Sequence, residues 1–299
     1  MNINLIDLVE QYKGDESKCR SYIESLKWPN GVICPRCGSP KVYRTAKSGH
    51  KFDCEACRYQ FTATANTIFH DSHLPIWKWF LAIYLMTESK KGMSANQLKR
   101  TLGVSYKTAW YLCHRIRKAM QEATESKPKL KGVVEVDETY VGGNYDPRRK
   151  RARHDKQAVI GLLERKGKFE SKTIPTNGAR ILVGIIKDRV DKTATVMTDE
   201  ARGYKRIDGE YKHESVKHRN EEWRRGNAYT NGVESAWSLF NRSIVGSYHQ
   251  ISSKHMDAYL DEFDWRFNNR ENPYLFEDTM IRLLNTPQME FKELIDKTA

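Results

Sequence analysis

Three acids and four cysteines in this 299-residue chain have types and spacings that could do chemistry. The stretch "KGVVEVDETYVGG" (131–143) sets Asp137, with Glu138 beside it, in a β-branched run that reads as a strand closed by a glycine pair. A second run, "TATVMTDE" (193–200), ends on Asp199 and Glu200. A carboxylate at the end of a buried strand is costly unless something pairs with it. If the two strands are adjacent and parallel, both carboxylates meet outside the strand ends, where open α/β sheets hold their ligands. "TNGVESAWSLFNRS" (230–243) adds a helix with Thr230 as N-cap and Glu234 near its first turn; Asn231, three residues earlier, shares that face. Three acids from two strands and a helix suit a hard divalent cation, Mg2+ or Mn2+, bound by oxygen and completed by water and phosphate. Two such ions about 3.5–4 Å apart clamp the attacking and leaving oxygens of an in-line phosphoryl transfer. Taken singly, each acid reads equally well as a salt-bridge partner; the set of three points to metal.

The cysteines form a second constellation. "CPRCG" (Cys34, Cys37) and "CEAC" (Cys54, Cys57) are two C-x-x-C knuckles separated by sixteen residues. This is tetrahedral thiolate spacing for Zn2+, with two disulfides or a redox dithiol as the other reading. Four thiolates leave no open coordination position, so the zinc is structural. Cys19 and Cys113 stand alone and read as small apolar residues on helices.

The elements that must carry these groups follow from periodicity and punctuation. Residues 4–27 show helical apolar spacing, ended by the turn residues Trp28–Pro29–Asn30–Gly31. The residues between the knuckles suggest a small β-hairpin, making a zinc ribbon. Residues 73–87 read as a helix begun by Pro75. In "SANQLKRTLGVSYKTAWYLCHRIRKAM" (94–120), Ser94 and Ser105 cap two helices around a turn at Gly103. That is the shape of a helix-turn-helix whose second helix, 106–120, offers Lys107, Arg115, Arg117 and Lys118 to DNA; the alternative is a helical hairpin with a solvated basic face. "TESKPKLKG" (124–132) reads as a linker. Beyond it, strands are expected at 132–140, 157–164, 168–174, 193–198 and 211–217, and helices at 178–190, 231–243 and 254–268. Between the first two strands, "PRRKRARHDK" (147–156) puts Arg148, Arg149 and Arg151 in a solvated loop or, as favoured here, in a clamp on nucleic-acid phosphates.

Composition bounds the function. Hydrophobic residues are 39% of the chain, enough for packed cores, and 51 Lys plus Arg against 38 acids give a net charge of +13. That excess favours a polyanionic partner. The longest apolar run, "WFLAIYLM" (79–86), is too short to span a bilayer, and the N-terminus lacks a signal-peptide pattern, so a soluble intracellular protein without a membrane partner is expected. No GxxxxGK occurs, which argues against a P-loop nucleotide site.

Several long motifs in order, among them "WPNGVICPRCGS", "CRYQFTATANTIFHDSHLPIWKWFLAIYLM", "VEVDETYVGG", "VMTDEARGY", "TNGVESAWSLFNRSIVGSYHQIS" and "DEFDWRFNNR", run over nearly the whole chain. In these the chain resembles the DDE transposases of bacterial insertion sequences, specifically the IS1595 (ISXO2-like) group. The resemblance implies an α+β to α/β multidomain fold: a helical lead-in (1–30), a zinc ribbon (31–65), a helix-turn-helix region (66–123), the linker (124–132), an RNase H-like catalytic domain (133–285) and a tail (286–299). It implies a mixed sheet whose first and fourth strands carry Asp137 and Asp199 as catalytic, metal-binding residues. Glu234 is then the third acid, with Asn231 as rival or helper, because this position varies between acid and asparagine in the group. The implied activity is binding of terminal inverted repeats, followed by metal-dependent cleavage and strand transfer on double-stranded DNA by a homodimer or higher oligomer. The setting is the bacterial cytoplasm, at the nucleoid. The alternatives are a non-catalytic DNA-binding derivative and a nuclease that cuts without joining. One departure stands out: the group commonly has a basic residue seven positions after the glutamate, where this chain has Asn241, with Arg242 next and about 100° round the helix.

Overall fold

The computed structural model describes residues 3–46, 49–122, 127–142, 156–199, 202–207, 209–216 and 229–296. The chain divides into two units, residues 1–120 with 271–299, and residues 121–270.

In the first unit, helix α1 (Leu5–Tyr12) is capped by Asn4, whose Oδ1 accepts from the Ile6 and Asp7 amides, and α2 (Glu16–Lys27) by Asp15, which accepts from Lys18. Strands β1 (Val42–Arg44), β2 (Phe52–Cys54) and β3 (Gln60–Phe61) form an antiparallel sheet in that order. Trp28 stands edge-on to Phe52 and Phe61, and all three rings are buried against this small sheet. Helix α3 (Ile76–Glu88) begins after Pro75 and buries Trp79, Phe80, Ile83 and Met86. Helix α4 (Ala95–Leu102) is capped by the Ser94 hydroxyl and closed by Gly103 in the left-handed region (φ +62), where a side chain would be strained. Helix α5 (Tyr106–Met120) follows, with the Ser105 hydroxyl accepting from Thr108.

Helices α9 (Leu275–Asn285) and α10 (Phe291–Ile295), which follow the second unit in the chain, also belong to this first unit. The expected boundary at 285 is therefore too late. Phe276 joins the ring cluster of Tyr22 and Phe80, and that burial takes the chain back after residue 270.

The second unit is a five-stranded mixed sheet of β4 (Val133–Val141), β5 (Gln157–Glu164), β6 (Phe169–Ile174), β7 (Thr195–Asp199) and β8 (Lys212–Val216), in the order β6-β5-β4-β7-β8. The pairs β4–β5 and β5–β6 are antiparallel; β4–β7 and β7–β8 are parallel. The period-2 alternation of β4 explains how it is covered on both faces. Val134 and Val136 pack with α6 (Ala179–Arg189), while Val141 joins α7 (Asn231–Ser243) and α8 (Met256–Asn268) on the opposite side. The edge strand β6 is not left open: Asn268, Asp264 and Asp257 of α8 accept from the amides of Phe169, Ser171 and Thr173. The expected linker also needs correcting, because Leu130 is buried and exchanges backbone hydrogen bonds with Arg189 and Asp191. Among the described residues no helix is long and apolar enough to cross a membrane.

Candidate active site

The parallel pairing of β4 and β7 matches Val133 with Thr195, Val134 with Val196 and Glu135 with Met197. Extending that register by two residues sets Asp137 level with Asp199, the last residue of β7. Asp137 alternates with the inward-facing Val136, so it lies on the α7 side of the sheet. Glu234, the fourth residue of α7, comes to the same place: Asp137, Thr139, Glu234, Ser238, Asn241 and Arg242 line one open cleft. Seven positions on from the glutamate, Asn241 thus faces the acids, and Arg242 does so too despite the angle between them. Asn231 is exposed at the first residue of the helix and is not among the residues lining that cleft.

The acids share one electrostatic field. Burial, together with Glu138, Asp199 and Glu234, pushes the Asp137 carboxyl from 3.8 up to about 7. Burial also raises Glu138, with Asp199 adding to the effect. Tyr204, fully buried on the short 3-10 turn Arg202–Ile207, stands against the same group; burial, Glu138, Asp137 and Asp199 hold its phenol well above the ordinary value. Among the described residues, only the four cysteines bring three or more ligand atoms within 4.8 Å of one another. Asp137 and Glu234 share the cleft, and Asp199 joins them through the field it exerts on Asp137.

The zinc-type cluster is compact. Cys34 and Cys57 sulfurs are 3.6 Å apart, as are those of Cys37 and Cys54. A tetrahedron with Zn–S of about 2.3 Å has edges of about 3.8 Å, so the four thiolates fit a structural Zn2+. All four are free of disulfides, which removes the disulfide reading. Cys19 and Cys113 are fully buried, as expected of small apolar residues.

The basic candidates separate sharply. Lys107 and Lys118 are exposed, with Lys107 Nζ lying 4.5 Å from the Phe291 ring centroid. Arg115 and Arg117 are buried, which corrects the expectation that they face DNA. Arg115 donates to the His70 carbonyl and stacks on the Trp79 and Tyr111 rings, so its guanidinium holds the first unit together. Arg148, Arg149 and Arg151, like Glu200, lie outside the described residues.

Two residues near the cleft carry no motif signal and emerge only in three dimensions. Glu135, on the same face of β4 as Asp137, is 1% exposed and pairs with Arg165 at 2.7 Å. Its Oε2 accepts from the amides of Gly232 and Val233 at the start of α7. The alternation "VEVDE" hints that Glu135 and Asp137 share a face, but nothing local names partners 30 and 97 residues away.

Two family models match the chain: an ISXO2-like transposase domain over residues 129–268 and a transposase zinc-ribbon domain over residues 14–60. An uncharacterized protein in transposable element ISH50 of Halobacterium salinarum is 30% identical over 273 residues, covering 84% of this chain and 90% of that protein. An uncharacterized transposase-like protein of Haemophilus influenzae is 30% identical over 107 residues, 36% of this chain and 85% of the relative. The cryoEM structure of the simian T-cell lymphotropic virus intasome in complex with PP2A regulatory subunit B56 gamma includes a chain that is 11% identical. That match covers 63% of this chain and 65% of the other at a TM-score of 0.29, too weak a likeness to bear on the fold. Both halves of the resemblance seen in the sequence are thus matched by family models, and this chain belongs to the IS1595 family of transposases.

Proposed function

We propose that the protein binds the terminal inverted repeats of its element and catalyses metal-dependent DNA cleavage and strand transfer, with Asp137, Asp199 and Glu234 as the acids of an RNase H-like domain. The observation that carries this reading is the convergence of the three acids. Asp137 and Asp199 each stand two residues beyond the last paired residues of adjacent parallel strands. Asp199 and Glu234 both act on the Asp137 carboxyl, and α7 brings Glu234 into the cleft with Asp137. The sheet order, with strands one to three antiparallel and strands four and five added parallel beside the first, supports the RNase H-like assignment.

The residues fit Mg2+ or Mn2+. The donors are all oxygens, and the raised Asp137 carboxyl marks a surplus of negative charge that a hard dication neutralises. When bound, such ions activate the attacking hydroxyl and stabilise the leaving oxygen of an in-line phosphoryl transfer. The chain's own share is placement. Asp137 and Asp199 are held on rigid strands, Glu234 accepts from the Thr230 hydroxyl at 2.7 Å, and Arg242 brings positive charge to the cleft that receives the DNA backbone. The exposed start of α5, with Lys107, suits the reading of DNA bases by a second helix after a tight turn. Duplex DNA at the element ends and target is the partner, engaged by a homodimer or larger assembly.

The test is cleavage and joining of a labelled duplex taken from the DNA flanking the gene. The native protein should cut and join in Mg2+, whereas Asp137→Asn, Asp199→Asn and Glu234→Gln should bind the duplex and do neither. Cutting without joining by the native chain would favour the nuclease reading. Normal cutting by Glu234→Gln beside a dead Asn231→Ala would make the asparagine the third residue.

A further inference from the structure

Helix α7 must present Glu234 at a fixed distance from Asp137, and its N-terminus is held in an unusual way. The residue at the capping position, Thr230, makes no side-chain capping bond. Its buried hydroxyl instead donates to Glu234 Oε1 at 2.7 Å. The amides that a cap normally serves, those of Gly232 and Val233, donate to Glu135 Oε2 at 2.8 and 3.0 Å. Glu135 belongs to β4, two residues before Asp137, so the strand that carries one acid grips the helix that carries another.

The grip is itself fixed. Arg165 Nε donates to Glu135 Oε1 at 2.7 Å, and Arg165 Nη2 donates to the Tyr229 carbonyl at 2.8 Å, tying the residue before Thr230 to the same pair. Close approach needs Gly232, where a Cβ would stand 2.7 Å from both Glu135 Oε2 and Leu163 Cδ2. Farther along α7, Trp237 lies over Gly161, the β5 partner of Asp137, where a Cβ would meet the indole at 2.5 Å. Glu234 therefore sits between two contacts that set the helix's position along the sheet. A buried carboxylate paired with a half-buried guanidinium is a poor substitute for apolar packing if stability is its whole purpose, whereas fixing register is the best-attested use of such pairs.

We infer that Glu135 and Thr230 are positioning residues for the metal-binding acids: Glu135 takes over the capping of α7, which releases the Thr230 hydroxyl to orient Glu234 toward the cation. This rests on the reading of Glu234 as the third acid.

The experiment is Mn2+ binding by isothermal titration calorimetry on zinc-loaded, full-length protein, with melting temperature measured beside it. Glu135→Met and Thr230→Val should each weaken Mn2+ binding about tenfold, as loss of outer partners of metal ligands does. Thr230→Ser, which keeps the hydroxyl, should bind Mn2+ like the native chain. Gly232→Ala raises helix propensity yet pushes α7 from Glu135, so its Mn2+ binding should fall without a loss of folding. If Glu135→Met fails to fold, the Thr230 and Gly232 variants still decide. Should Glu234→Gln bind weakly while Thr230→Val and Gly232→Ala bind like the native chain, the positioning role is wrong and these contacts are only structural. Should Glu234→Gln itself bind like the native chain, the assignment of Glu234 falls and the inference with it.

Discussion

Replacing Asp137 with asparagine separates a metal-binding acid from a structural one through stability alone. In the fold, burial and three neighbouring acids raise this carboxyl from 3.8 to about 7. Its charge is therefore worse tolerated in the folded chain than in the unfolded one. The stability linked to this group is fully present below the unfolded value of 3.8 and is lost as pH rises through about 7. At about 1.4 kcal/mol per pKa unit the loss at pH 8 has a ceiling of roughly 4 kcal/mol. The carboxyl is partly open to a solvent-filled cleft, and screening there reduces the effect to about 2 kcal/mol. For a unit of this size that corresponds to a rise in Tm of about 4–8 °C in Asp137→Asn. The assay is differential scanning calorimetry at pH 4 and pH 8, without added divalent cation and without chelator, so that ribbon zinc stays in place. The variant should melt higher than the native chain at pH 8, and the gap should close toward pH 4. Added Mn2+ should raise the Tm of the native chain and leave the variant unmoved. A variant less stable than the native chain at pH 8 would refute the reasoning, because it would mean that Asp137 answers a buried cation.

Other consequences follow from the same geometry. Cys34→Ser should abolish zinc binding and unfold the ribbon, since a structural site of this kind contributes roughly 10–16 kcal/mol, while the cooperative melting of the second unit persists; metal analysis with calorimetry checks both. Arg115→Ala should cost on the order of 2–3 kcal/mol of stability through the lost His70 bond and ring stacking, and the folded fraction should bind DNA normally, whereas Lys107→Ala should weaken DNA binding without lowering Tm. Asn241→Lys should tighten binding to element ends and steepen the salt dependence by about 0.9 in log–log slope, with Arg242→Ala doing the reverse; titrations at several salt concentrations read both. Asp264→Leu should cost about 1–3 kcal/mol by stranding the Ser171 amide and hydroxyl, and Asp264→Asn, which keeps one acceptor oxygen, should cost less, as chemical denaturation would record.

What was legible in the sequence divides by the range of the interaction that fixes it. The bounds of α5 and α7 agree with residues 106–120 and 231–243 because caps and turns are local chemistry, settled within a few residues. The zinc cluster was legible because its ligands come in two pairs whose internal spacing is the signal. Asp199 closes β7 as a strand-end acid should, whereas Asp137 stands mid-strand, because pairing with β5 carries β4 on to Val141; strand alternation still predicts the face that Asp137 occupies. Arg115 and Arg117 were misread because a basic residue on a helix is solvated unless something distant covers it. The cover here includes the carbonyl of His70, 45 residues away. The return of residues 271–296 to the first unit depends on Phe276 meeting Tyr22 and Phe80, a packing choice that no window of sequence contains. Thr230 makes the division plainest. Its position and type identify it as an N-cap, and the local rule would give its hydroxyl to the helix amides. A carboxylate 97 residues from Val233's neighbour Gly232 takes those amides instead, and the hydroxyl turns to Glu234. Local rules found the helix that bears Glu234; only the long-range partner explains why the Thr230 hydroxyl is bonded to that glutamate rather than to the helix amides.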